Sequence, residues 1–373
     1  MVAGAVAVSA VVVAAQDNKD KQTAEQSAEI RALLTITDEA ATGKATSSLP
    51  LKWEGTHFIK SHGDKTYVPF TVSLDGSAFT APTPVSLYLR VAKRGELPPT
   101  AAPEAARDDK KKDDKKNQDQ QGQGSQVDAR HEYPFEDVFF IDLPAPVAGK
   151  PHLLRRAFAV SPGDYDVYVA VKEKAAAPAA GTGDAAKSGD TAAADAGASA
   201  KIGVVKQELT VPSLDGELTT SSVIVAEKVD ELQAPIPTDR QSEHPYTFGQ
   251  MRIVPAVDGA FPKSTDLNVI FWIYGAGTDA ATKKPNVQVD YNFHQKLPDG
   301  EKFFNRTEPT VMNAETLPPQ FDLAAGHQLP GSLAVPLASF PEGEYRLEVK
   351  VTDKTSGKTI TRDVPFTVIA QAQ

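Results

Sequence analysis

The chain contains no cysteine, which excludes disulfides, thiolate nucleophiles and cysteine-ligated metal centres together. An exported domain built this way is held by its core alone, which a sandwich of more than about a hundred residues can supply. The sequence also lacks a dense basic stripe with interleaved aromatics. With a formal net charge of −10, it is a poor match for phosphate backbones or anionic lipid, and nucleic acid is not an expected partner. No Gly-x-Ser-x-Gly elbow, phosphate-cradling glycine loop or dinucleotide fingerprint occurs, which removes the usual handles for hydrolase, NTPase and dehydrogenase chemistry. The apolar opening, Met1 to Ala15, is too short to span a bilayer, which needs about twenty apolar residues. Val13-Ala14-Ala15 before Gln16 fits the small-residue rule for signal cleavage, although no Lys or Arg precedes the apolar run. The expectation is export, to a periplasmic or extracellular location, with no stable membrane span after signal removal.

What the chain does have is one phrase used twice. Ser161-Pro162-Gly163-Asp164-Tyr165-Asp166-Val167-Tyr168-Val169 and Phe340-Pro341-Glu342-Gly343-Glu344-Tyr345-Arg346-Leu347-Glu348-Val349 both run from a proline through Gly-x-Tyr into alternating residues, with one residue between proline and glycine in the second copy and none in the first. Such a start describes a tight corner opening a half-buried strand, with the tyrosine bracing the corner. Gly163 and Gly343, like Tyr165 and Tyr345, lie 180 residues apart, and these four are the predicted structural corner residues. Strands are short, turns frequent and no segment has a convincing helical period. The fold class expected is therefore all-β, with two tandem immunoglobulin-like or fibronectin-like β-sandwich modules.

Along the chain this predicts a signal segment over 1–15 and a polar lead segment over 16–50 with at most a helical turn or two. A first sandwich follows over 51–231, then a proline-containing linker over 232–240 and a second sandwich over 241–370. Two stretches inside the first sandwich, 97–130 and 175–200, are rich in Ala, Asp, Lys, Gln and Gly without apolar periodicity. They read as disordered insertions in hairpin loops. In the second sandwich the final two strands are joined by Asp353-Lys354-Thr355-Ser356-Gly357-Lys358, a hairpin turn by composition.

Candidate sites are few. His57, His62 and Asp64 have loose ligand spacing but no third imidazole, so no metal is assigned and no cofactor is expected. Asp164 and Asp166 read as solvent-face residues, because the second copy carries Glu344 and Arg346 there. In Leu267-Asn268-Val269-Ile270-Phe271-Trp272-Ile273-Tyr274, an inward Leu267, Val269, Phe271 and Ile273 would put Trp272 and Tyr274 outside. If 287–293 is the neighbouring strand, Gln288, Asp290 and Asn292 would share that outer face, giving aromatic rings beside amides and a carboxylate as a platform for a sugar or peptide. The plainer reading, and the favoured one, packs Trp272 and Tyr274 against the first module.

The runs Thr66-Tyr67-Val68-Pro69-Phe70-Thr71-Val72, Tyr133-Pro134-Phe135-Glu136-Asp137-Val138, Leu317-Pro318-Pro319-Gln320-Phe321 and Phe340 to Leu347 resemble uncharacterised exported proteins of Acidobacteria, some of them described beside GWxTD-type proteins. The Gly-Trp-x-Thr-Asp motif itself is absent here. The resemblance implies an exported sandwich protein and carries no catalytic residue. The expected function is a non-enzymatic binding or structural protein of the cell envelope, with an envelope protein or glycan as partner. The alternative is an accessory hydrolase of envelope polysaccharide or peptide, whose carboxylates meet only on folding.

Overall fold

A computed structural model describes residues 24–98, 132–174 and 200–370. The predicted signal segment and nearly all of both predicted insertions lie outside the described residues.

The first sandwich comprises β1 (Leu51–Thr56), β2 (Ile59–Lys60), β3 (Thr66–Leu74), β4 (Thr83–Lys93), β5 (Phe135–Leu143), β6 (His152–Val160), β7 (Gly163–Glu173) and β8 (Ile202–Val211). Sheet I has β3 at its centre, paired with β1, β2 and β6, and sheet II runs β5-β4-β7-β8. Alternation decides which residues meet between them. Val85, Leu87, Leu89 and Val91 from β4 pack with Val68, Phe70 and Val72 from β3 and with Val167, Val169 and Val171 from β7. β-branched and aromatic side chains suit this pleated, interdigitating surface.

The second sandwich comprises β9 (Thr219–Thr220), β10 (Ile224–Glu231), β11 (Thr247–Phe248), β12 (Met251–Pro255), β13 (Ala260–Pro262), β14 (Asp266–Tyr274), β15 (Val287–Leu297), β16 (Gly300–Arg306), β17 (Thr310–Met312), β18 (Leu329–Pro336), β19 (Gly343–Asp353) and β20 (Lys358–Ile369). Sheet III runs β11-β12-β10-β14-β18, with β9 also on β14, and sheet IV runs β13-β20-β19-β15-β16, with β17 on β15. The closing hairpin pairs Asp353 with Lys358. Buried Asp353 accepts from the backbone N–H of Gly277 (2.8 Å) and Thr355 (3.0 Å) and from the Ser356 hydroxyl, fixing that turn.

β10 departs from the expected boundary. Ile224 pairs with Ile270 and Val229 with Ile253, so the strand over 224–231 belongs to the second sandwich and not to the first. The chain crosses between the modules over 212–218. Pro235 and Pro237 lie in the loop between β10 and β11, which flank β12 within one sheet. Prolines that read as an inter-domain connector by composition are here an intra-sheet excursion.

The lead segment also departs from expectation. It forms one helix, α1 (Ala24–Ala41), of 18 residues. Ala, Glu, Leu and Arg give it high intrinsic propensity, and Gly43, at φ 71°, ends it in the left-handed conformation that a C-terminal cap requires. Its apolar residues are mostly small and its apolar period is interrupted by polar ones, but Glu29, Leu33, Ile36 and Thr37 fall on one face and are buried. That face lies on the outer side of sheet II, where Leu33 and Ile36 pack with Tyr88 and Ala170. Most polar groups beneath it are matched: Ser86 donates to Glu29 Oε2 (3.1 Å), leaving Oε1 enclosed without a partner, and Arg90 pairs with Asp38 (2.5 Å) while its Nε donates to the Tyr88 hydroxyl (2.8 Å).

The two corners are alike. The Tyr165 hydroxyl donates to the carbonyl of Ser161 at 2.8 Å, and the Tyr345 hydroxyl to that of Pro341 at 2.8 Å, each four residues upstream. Gly163 and Gly343 turn the chain at φ 156° and 142°, where a side chain is strained. The Asp pair beside the first corner divides. Asp164 is exposed and pairs with Arg94 (3.1 Å), whereas Asp166, expected on the solvent face, is buried and held by Lys206 (3.0 Å) and the N–H of Gly95 (3.0 Å). The reason is cover: the outer face of sheet II is not open along β7.

Candidate functional site

The residues proposed as an aromatic and amide platform do not share a face. β14 lies in sheet III and β15 in sheet IV, so Val269 and Phe271 meet Val289, Tyr291 and Phe293 across the core. The inward sets are those that alternation predicts, but the outward sets emerge on opposite sides of the sandwich. Gln288, Asp290 and Asn292 stand on the outer face of sheet IV, where Gln288 donates to Asp290 (2.8 Å) and Asn292 to Glu348 (3.0 Å).

Trp272 and Tyr274 are not at the surface. They are 6% and 7% exposed and sit in a cluster with Ile59, Leu214, Phe248 and Ile253, where sheet III faces the outer side of sheet I. Phe248 meets the Trp272 ring edge-on at 4.8 Å. Polar groups cross the same seam in matched pairs. Phe58 N–H donates to Ser222 Oγ (2.8 Å), Ser222 N–H to the Phe58 carbonyl (2.9 Å), Lys60 N–H to the Tyr274 hydroxyl (3.2 Å) and the Tyr67 hydroxyl to the Pro245 carbonyl (2.9 Å). Burial raises the pKa of Tyr67, Tyr246 and Tyr274, which keeps these hydroxyls neutral. His57 lies 2.9 Å from the Tyr246 hydroxyl, and burial pushes its pKa down to about 4, so it is held as neutral imidazole. The seam has the character of a core: an apolar centre with the polar groups that cross it paired.

Beside the seam opens a cleft of about 600 Å³. One wall comes from 141–156 of the first module, including the end of β5 and the start of β6, and the other from 243–254 of the second. Ile141, Val147, Pro245 and Ile253 give it apolar lining, and six basic side chains, Lys150, His152, Arg155, Arg156, His244 and Arg252, line it against two acids, Asp142 and Glu243. Arg252 is already bound to Asp230 at 2.7 Å. The nearby Glu243 is occupied by Arg240 at 3.2 Å. Arg155 and Arg156 are different. Neither is in an ion pair among the described residues, and the Nε of each is enclosed without a hydrogen-bond partner, as is Nε2 of His152. Arg156 donates from Nη1 to the Arg155 carbonyl (2.7 Å) and lies over the Phe139 ring at 4.9 Å. Burial lowers the pKa of both guanidinium groups, and the acids nearest Arg156, Glu243 and Asp137, offset it only partly. Both still carry their charge, since arginine stays protonated in proteins.

Sequence reasoning passed over these two residues, yet a signal was present. In β6 the inward register reads Leu154, Arg156, Phe158, Val160, all buried. A cation in a core register on a strand with no acid in it asks for a compensating group from elsewhere.

No protein-family model and no curated protein matches the chain. Solved structures are similar to parts of the chain. An immunoglobulin-like protein from Pseudomonas aeruginosa is similar over 40% of this chain and 97% of its own, at 12% identity and a TM-score of 0.19. Dimeric latent PorU from Porphyromonas gingivalis matches over 90% of this chain and 21% of its own, at 8% identity and a TM-score of 0.28. Escherichia coli alpha-2-macroglobulin matches over 87% of this chain and 22% of its own, at 10% identity and a TM-score of 0.21. The chain thus spans about a fifth of the length of the two larger proteins.

Proposed function

We propose that the chain is an exported, non-enzymatic binding or structural protein of the cell envelope, like the uncharacterised exported Acidobacteria proteins that its corner segments resemble. The observation that carries this reading is the seam. Burying Trp272 and Tyr274 between sheets I and III, with matched hydrogen bonds around them, makes two sandwiches behave as one rigid body. A rigid pair of sheets presents fixed surfaces at a fixed spacing, which suits holding a protein or glycan at low entropic cost. The apolar opening segment, Met1 to Ala15, is consistent with export.

The test has two arms. Expression of the full chain in a bacterial host followed by fractionation reads export: a mature product beginning near Gln16 outside the cytoplasm supports it, and full-length chain retained in the cytoplasm contradicts it. Incubation of the purified chain with envelope polysaccharide and peptide reads activity. Saturable retention without release of reducing ends or free amines supports a binding role, whereas turnover replaces it with the accessory hydrolase.

A further inference from the structure

The geometry points to the cleft between 141–156 and 243–254 as a binding site for a small organic oxyanion, a carboxylate or phosphate group on an apolar body, received by Arg155 and Arg156. This rests on the cleft alone, and an envelope role would survive its failure.

Three observations converge. The first is weakly compensated charge. Arg346 in the second module is surrounded by carboxylates, Glu301 at 2.6 Å, Glu348 at 3.5 Å and Asp363, as a half-buried guanidinium ordinarily is. Arg155 and Arg156 are in no ion pair among the described residues; the acids that act on them, Glu227 on Arg155 and Glu243 and Asp137 on Arg156, offset burial only partly, and a desolvated cation compensated so weakly is costly unless something supplies more. The second is enclosure. Three polar nitrogens on one edge strand, Arg155 Nε, Arg156 Nε and His152 Nε2, are buried without partners, and all three residues line the same cavity. Arg155 and Arg156 leave this strand on opposite faces, and their enclosed Nε atoms fix where the two guanidinium groups sit, so an entering group meets the guanidinium ends that line the cavity. The third is size and chemistry. A cavity of about 600 Å³ is larger than an inorganic ion needs and falls in the range of small-molecule sites, and its apolar walls match a ligand with a hydrocarbon body. Guanidinium groups present planar donor pairs suited to the two oxygens of a carboxylate or phosphate. Phe139 beneath Arg156 and the Arg155 carbonyl at 2.7 Å hold that guanidinium in place before a ligand arrives.

The experiment uses the full chain and four probes: benzoate, phenyl phosphate, inorganic phosphate and the uncharged isostere benzamide. Calorimetry is combined with NMR observation of arginine Nε–H resonances. The expected result is saturable binding of benzoate, phenyl phosphate or both, weaker binding of inorganic phosphate and none of benzamide. Benzoate alone assigns a carboxylate ligand, and phenyl phosphate alone a phosphate ester. Arg155→Gln and Arg156→Gln should each weaken binding about tenfold or more, the loss of one charge-assisted contact, while Arg346→Gln leaves it unchanged. Should the glutamine variants fail to fold, titration of the wild-type chain still decides: the Arg155 and Arg156 Nε–H signals must shift with the probe. Absence of saturable binding, equal binding of benzamide, or binding that leaves both arginine signals still would overturn the site.

Discussion

The outer faces of sheets II and IV are built on the same strand pattern and end in opposite states. In the first module β4 and β7 are buried residue after residue, on both faces. In the second, β15 and β19 bury every other residue, and the intervening ones are partly or fully exposed. The inward sets are interchangeable: Val167, Val169 and Val171 in one, Leu347, Val349 and Val351 in the other. The outward sets are not. Asp166, Tyr168 and Ala170 alternate with the first set, and Arg346, Glu348 and Lys350 with the second. Small and aromatic residues receive α1, while long charged ones keep their heads in water. Outward residues therefore record what lies over a sheet, and inward ones only that there is a sheet.

The largest effects should come from breaking cover. Trp272→Ala removes the largest side chain of the seam and should cost about 3–5 kcal/mol, as truncation of a buried aromatic does. Denaturant unfolding should then separate into two transitions as the modules lose their shared surface; a single transition with an unmoved midpoint would show that the seam contributes little. Leu33→Ala, beneath α1, should cost about 2–5 kcal/mol by the same cavity argument, and it should expose the outer side of sheet II. The matching change on the bare face, Lys350→Ala, should stay within about 0.5 kcal/mol. Equal effects at Leu33 and Lys350 would erase the distinction between the two sheets.

The same distinction explains what could be read from residues alone. Period-two alternation specified the inward faces of β4, β14, β15 and β19, because side-chain direction is fixed by the pleat. The residues also located both corners, since a proline followed closely by Gly-x-Tyr is a local device with local geometry. Sheet membership is not local. Alternation is blind to whether β14 and β15 are neighbours in one sheet or partners across a core, which is why Trp272 and Gln288 were placed on a common face and are not. The boundary failed for a related reason, since Pro235 and Pro237 carry the same composition in a linker or in a loop of one sheet. α1 was hidden because its buried stripe contains Glu29 and Thr37, whose polarity masks the period until Ser86 is there to answer it. The cleft was missed because Arg156 was not weighed, although its register points inward.

A change of pH should sharpen the contrast between the seam and the bare face of sheet IV. His57 is held near pKa 4 against an ordinary 6.5, by burial. Between those values the unfolded chain binds a proton that the folded chain refuses, so stability present above pH 6.5 falls as pH drops and is fully lost below about 4. The lowered value corresponds to at most about 3 kcal/mol. Tyr246 faces the ring, and Arg155, with Glu227 acting on it, acts on the same tyrosine, so a protonated His57 would add a second cation to a site where burial already disfavours charge. Melting curves across this window should flatten in His57→Gln relative to wild type. Parallel curves for the two proteins would place the acid sensitivity elsewhere, among carboxylates such as Asp353 whose pKa is lowered on balance because its hydrogen bonds outweigh burial.

The corners come next in size. Tyr165→Phe and Tyr345→Phe each delete one hydroxyl donor and leave the ring, which should cost about 1 kcal/mol apiece. Both hydroxyls bond a carbonyl four residues back at 2.8 Å, so similar losses are expected despite the different cover above the two strands. A corner that mattered in one module only would mean that its partner is held by its surroundings.

The smallest effects belong to Gln288 and Asn292. Their bonds to Asp290 and Glu348 join residues on a polar outer face where water competes for each partner, so Gln288→Ala and Asn292→Ala should each fall within about 0.5 kcal/mol of wild type. A small effect on stability is what an available surface gives, and it makes these substitutions clean probes of contact. If the outer side of sheet IV meets a partner, both variants weaken that association while melting as wild type does. If either variant melts markedly lower, the face is already engaged within the chain, and the contrast with the helix-covered sheet is one of degree only.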